Sequence, residues 1–135
     1  MTARGAQEGT KRIPGYLHVA EDCRAVSEVL SRVGDKWTVL VVSELGRGSR
    51  RFNELRRALG SISQRMLTLT LRALERDGLV TRTVRPTVPP RVDYALTRLG
   101  RSLLEPVSAL ESWALRHRAA IAEARARYDA GKAAR

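Results

Sequence analysis

A single cysteine, Cys23, leaves the chain without an internal disulfide and without the paired thiols of a zinc site. Histidine is almost as scarce: His18 and His117 are the only two, far apart and with no acid or nucleophile at motif spacing. No phosphate-cradling glycine loop, HExxH or CxxC accompanies them. The sequence therefore predicts no enzyme, no metal and no cofactor. Aromatic residues are 4% of the 135, so leucine, valine and alanine must build the core, which suits packed helices better than stacked sheets. The longest aliphatic run, Val39 to Val42, is far too short for a membrane span or a signal peptide. These absences point to a soluble, cytoplasmic, non-membrane protein.

Acidic side chains are also few. Asp and Glu number 14 against 25 Lys and Arg, giving a net charge of +11. Such an excess calls for a polyanionic partner, nucleic acid or an acidic membrane. Residues 23–96 hold 14 basic against 7 acidic side chains, so the excess lies in the patterned segment and not in a basic tail. Arginine supplies 22 of the 25 cations, and its planar fork suits phosphate and guanine edges. A coding bias toward arginine is the plain alternative.

Residues 1–15 are polar and aperiodic, which predicts a flexible N-terminal arm before a domain over 16–128. Val26, Val29, Leu30 and Val33 recur at helical spacing up to Gly34. Asp35 can cap a second helix, apolar on more than one side from Trp37 to Leu45. Phe52, Leu55 and Leu59 mark a short third helix, with Asn53 or Ser49 as its cap. A fourth is expected from about Ile62 to Asp77, opened by a Ser61–Gln64 capping box and closed by a Schellman turn at Gly78. The period then drops to two through Val80, Arg82 and Val84 and again through Val92, Tyr94 and Leu96, giving a two-stranded ribbon with a proline-rich tip. Thr97 can cap a final helix that Pro106 should kink, and residues 129–135 are read as a frayed C-terminal tail.

The fold class that follows is mostly α with a small β-ribbon wing, a winged helix-turn-helix. Such folds lay the second helix of the pair in the major groove. At 100° per residue Leu67, Leu71 and Leu74 point one way, and Arg65, Thr68, Leu69, Arg72 and Arg76 the other. That second face can bond guanine, phosphate and a thymine methyl. A solvated face paired with Glu75 or Asp77 is the alternative. Ser63 and Gln64 can serve DNA contact or capping, with capping favoured for Gln64. Lys36 is a candidate phosphate anchor, while Trp37 belongs to the core. Arg85 and Arg91 flank the wing tip, where they can reach DNA or merely solubilise an edge strand. Pairing of Arg82 with Asp93 across the ribbon would keep Arg82 from DNA.

These residues also resemble a family. The chain is similar to the HxlR-type regulators, relatives of the MarR group, over residues 23–118. The segments that carry the likeness are Gly34-Asp35-Lys36-Trp37, Arg51-Phe52-Asn53-Glu54-Leu55, Ile62-Ser63-Gln64-Arg65-Met66-Leu67, Leu71 to Val80, Pro89 to Thr97, and Trp113. Asp35 and Asp93 stand where the family more often has Gly and Glu, and Arg24 stands where proline is common. The resemblance implies a winged-helix homodimer, usually a repressor and sometimes an activator, dimerised through its first and last helices.

On that basis Val26, Val29, Leu103, Val107, Leu110, Ala114, His117 and Ile121 are the expected dimer interface, and the expected target is an inverted repeat in double-stranded DNA. Cys23, at the start of the first helix and beside Arg24, sits where a thiolate is favoured, and some similar regulators sense electrophiles or oxidants near this position. A small inert core residue is the alternative. Two other functions compete: a ligand-responsive regulator with no redox role, and a winged-helix module for RNA or protein. A protein-docking module would carry an apolar face where this chain carries arginines. The sequence names no small-molecule effector.

Overall fold

The computed structural model describes residues 21–134, so the expected arm over 1–15 lies outside them. The chain divides into a first unit ending at Asp35 and a second starting at Lys36. In the first, helix α1 (Glu21–Val33) closes with the Gly34 N–H donating to Leu30 O at 2.8 Å.

In the second unit, α2 (Lys36–Leu45) buries Thr38, Val41, Val42 and Leu45. Strand β1 (Arg50–Arg51) leads directly into helix α3 (Phe52–Leu59). Neither Asn53 nor Ser49 caps α3. Its N-cap is Arg51, held extended by strand pairing, and the Arg51 N–H donates to Glu54 Oε1 at 2.8 Å. Helix α4 spans Gln64–Arg76 and starts two residues later than the sequence predicts. Ile62 explains the delay: it is buried in the core, 3% exposed, so the chain must turn inward before the helix can begin. The Ser61–Gln64 box is therefore not the cap. Ser63 is, its Oγ accepting from the Met66 N–H at 3.0 Å. At the other end Gly78 takes φ +77°, the Leu79 N–H reaches Leu74 O and the Gly78 N–H reaches Glu75 O. That is the expected Schellman stop.

Strands β2 (Val80–Arg85) and β3 (Arg91–Leu96) form the ribbon, but the sheet has three strands in the order β1-β3-β2, all antiparallel. Thr97 caps only a single turn, α5 (Arg98–Arg101), and its hydroxyl also donates to Gly78 O at 2.7 Å. A Cβ at Gly100 would collide with the Leu79 carbonyl, so this turn lies tight on the end of α4. The chain breaks at Ser102-Leu103 before α6 (Leu104–Ala134). Pro106 therefore falls in the first turn of α6, where its missing N–H has no partner to lose, and the expected kink becomes a helix start. Helix α6 continues through Ala134, past the expected fraying at 129.

Leucines and valines from α2, α3, α4 and the sheet meet in one core, with Leu55, Leu67 and Leu74 fully buried. Each such leucine contributes about 1.5–3 kcal/mol. Trp37, Phe52, Leu103 and Leu104 pack against its edge.

Candidate nucleic-acid interface

Helix α4 separates its faces as its periodicity predicts. Leu67, Leu71 and Leu74 are buried, joined by Thr70. Arg65, Arg72 and Arg76 are exposed, Leu69 is 46% exposed, and Thr68 is half-buried beside them. The helix is thus pinned by leucine on one side and leaves three guanidiniums in solvent on the other. Among the described residues none of the three forms an ion pair with Glu75. Gln64 is exposed and does not cap, because Ser63 has that task. Met66, 40% exposed, borders the same face.

Lys36 is exposed at the start of α2, its Nζ 4.6 Å from the Trp37 ring centre. The indole holds the ammonium in place by its π face and is itself held by the core edge.

The wing is organised differently from its sequence reading. Asp93 is buried on β3, and its carboxylate accepts from Arg85 Nε at 2.7 Å and from Arg91 Nε and Nη2, both at 3.2 Å. These bonds, Arg85 first, hold the Asp93 carboxyl below its ordinary 3.8. Arg82 does not pair with Asp93. Its register partner is Tyr94, and the side-chain alternation of strands puts Asp93 on the other face. Arg85 and Arg91 remain about half exposed.

A second basic surface was not anticipated. Asn53, Arg56, Arg57 and Gly60 line an open depression of about 350 Å³ at the end of α3. Arg56 and Arg57 are exposed beside buried Leu55, a helical offset that the sequence does contain. In the same helix the Glu54 carboxyl is lowered from 4.5, chiefly by the Arg51 backbone N–H.

The residues expected at a dimer interface fall into three groups. Val107 is 4% exposed within its own chain and so is core, not interface. Leu103 is half-buried against that core. Leu110, 59% exposed, and Ala114 face solvent, followed along α6 by half-buried His117 and Ile121. His117 stacks on Trp113 with ring centres 4.6 Å apart, and its Nδ1 lies 2.9 Å from Trp113 O. Trp113, Leu115 and Tyr128 add exposed apolar surface. On α1, Val29 is 61% exposed, while Val26 and Cys23 are half-buried.

Comparison with known proteins agrees with this layout. The family model for HxlR-like helix-turn-helix proteins matches residues 32–121. An uncharacterized HTH-type transcriptional regulator, YtfH of Escherichia coli K12, is 46% identical over 94 residues, 70% of this chain and 74% of its own. Among solved structures, ytfH from Salmonella typhimurium, named as a transcriptional regulator, superposes with a TM-score of 0.69 at 40% identity, covering 74% of this chain and 89% of that one. The redox regulator HypR in its reduced form gives 0.68 at 42% identity, covering 73% and 98%.

Proposed function

The chain belongs to the HxlR-like helix-turn-helix family and is a transcriptional regulator with a helix-turn-helix DNA-binding domain, and from that premise we propose that it is a non-catalytic homodimeric repressor reading an inverted repeat in double-stranded DNA. Helix α4 is the reader. The observation that carries this is the α4 surface: three exposed arginines with Thr68 and Leu69, on a helix locked from behind by buried leucines. A rigid helix with unpaired guanidiniums can place bidentate donors against guanine and set Leu69 against a thymine methyl. Ser63, Lys36, Arg85 and Arg91 serve as backbone contacts around it.

Dimerisation draws support from α6, where Leu110, Ala114 and Trp113 lie exposed on successive turns, and from Val29 on α1. A two-fold pair would set two α4 helices roughly 34–36 Å apart, one DNA turn. Selection of bound sequences from random duplex DNA tests the reading. An enriched inverted repeat is expected; no enrichment rejects it.

A signal input at Cys23 is a second element of the proposal. It rests on the half-buried free thiol on α1 and on the similarity to HypR, a protein named as a redox regulator. Oxidation would join Cys23 to a second thiol, of the other subunit or of a small thiol, with the two electrons passing to the oxidant.

A further inference from the structure

Arg82 is left over by the wing. Both oxygens of Asp93 are taken by Arg85 and Arg91, and Arg82 stands on the opposite face of β2, in register with Tyr94. That face is one wall of a partly open groove of about 490 Å³, whose other wall is α4. Gln64, Thr68 and Arg72 line it from the helix, spaced four residues apart and so stacked on successive turns. Glu75 is the single acid among the lining residues, set against two guanidiniums. Among the described residues neither the Arg72 nor the Arg82 side chain forms an ion pair or hydrogen bond. The groove is therefore cationic, with donors unspent on both walls.

We propose that this groove seats a phosphate of the DNA backbone, and that Arg82 is the residue that holds it. The inference rests on the reading of α4 as the helix that enters DNA. A helix with its side chains is about 10–12 Å across and the major groove is about 12 Å wide, so a helix lying there is flanked on each side by a phosphate backbone. On the sheet side of α4 that backbone must pass over the groove. Arg82 then meets it from the sheet and Thr68 from the helix, while Arg72, further along α4, remains available to bases. A phosphodiester fits better than an RNA loop base, because guanidinium and hydroxyl donors stand on both walls, where they can meet a phosphate at the mouth of the groove. Arg82 adds charge contact without sequence information, so its removal must weaken all duplexes alike.

The test compares wild type, Arg82→Ala, Arg82→Lys and Arg82→Glu on the selected site and on a scrambled duplex, by salt titration and phosphate-ethylation interference. Arg82→Ala should lose roughly tenfold on both duplexes and shallow the log–log salt slope by about 0.9 per subunit. One ethylation-sensitive phosphate per half-site should disappear. Arg82→Lys should restore most of the affinity, since a phosphate accepts a point charge, and Arg82→Glu should lose more than alanine. Because Arg82 is exposed, all variants should melt as wild type does. An unchanged slope and interference map in Arg82→Ala overturns the proposal, and so does a loss confined to the selected sequence. If wild type binds no duplex, the parent reading falls as well; if it binds and Arg82 is silent, only the groove assignment falls.

Discussion

Asp93 Oδ2 lies 2.7 Å from Arg85 Nε, in a wing where Arg85 and Arg91 face each other at the tip end of the ribbon. Like charges directly opposite repel, and the buried carboxylate between them is what lets the two strands close. Arg91 is gripped through two nitrogens and Arg85 through Nε alone, so Arg85 has more of its fork free for DNA. Arg85→Ala and Arg91→Ala should each lower the melting temperature, since each removes part of the support of Asp93, and Arg85→Ala should lower DNA affinity the more. Parallel melting and binding titrations separate the two.

The same carboxyl predicts an acid dependence. Its folded-state value is depressed below 3.8 by Arg85 and Arg91, so its stabilisation is fully present above the unfolded value and disappears as pH falls through the folded one. Asp93→Asn should melt below wild type at pH 6, with the gap closing toward pH 2. A gap that stays constant over this range would remove Asp93 from the wing's support.

The two faces of α4 should respond oppositely to truncation. Leu67→Ala, at a fully buried position, should cost about 2–5 kcal/mol of stability by denaturant unfolding. Leu69→Ala, on the exposed face, should change stability by less than about 0.5 kcal/mol yet weaken binding to the selected site.

Ser63 carries the N-terminus of α4 through its bond to the Met66 N–H. Ser63→Ala should cost about 1 kcal/mol and Ser63→Asp should recover it. Equal losses in both would mean that the cap is not what fixes the start of the helix.

Treatment with diamide should release wild-type protein from its selected site, and Cys23→Ser should stay bound. Equal responses, or none in either protein, return Cys23 to a packing role.

Much of this was legible in the sequence because period and caps agree. The leucine phase of α4, the Schellman residues Asp77-Gly78-Leu79 and the two alternating strands all lie where their patterns place them. Strand β1 was not, because two residues, Arg50 and Arg51, carry no period at all. The start of α4 is not legible in the sequence because two serines offer equal caps, and only the burial of Ile62 decides between them. Pro106 starts a helix instead of kinking one because the helix that Thr97 caps stops after one turn, a break set by tertiary packing at Gly100. Among site residues the arginine face of α4 was visible, but the partner of Asp93 was not, since strand alternation fixes the face only once the register is known.

The central claim, that exposed α4 arginines read bases, is tested most directly by measuring affinity for the selected inverted repeat and a scrambled duplex across salt, with wild type, Arg65→Ala and Arg72→Ala. Wild type should prefer the repeat by about 10³ or more, with a slope near −7 if a dimer neutralises roughly 8 phosphates. Each substitution should cost about 1–3 kcal/mol on the repeat and much less on the scrambled duplex. Equal binding of the two duplexes by wild type, or helix variants that keep the full preference, would contradict the account.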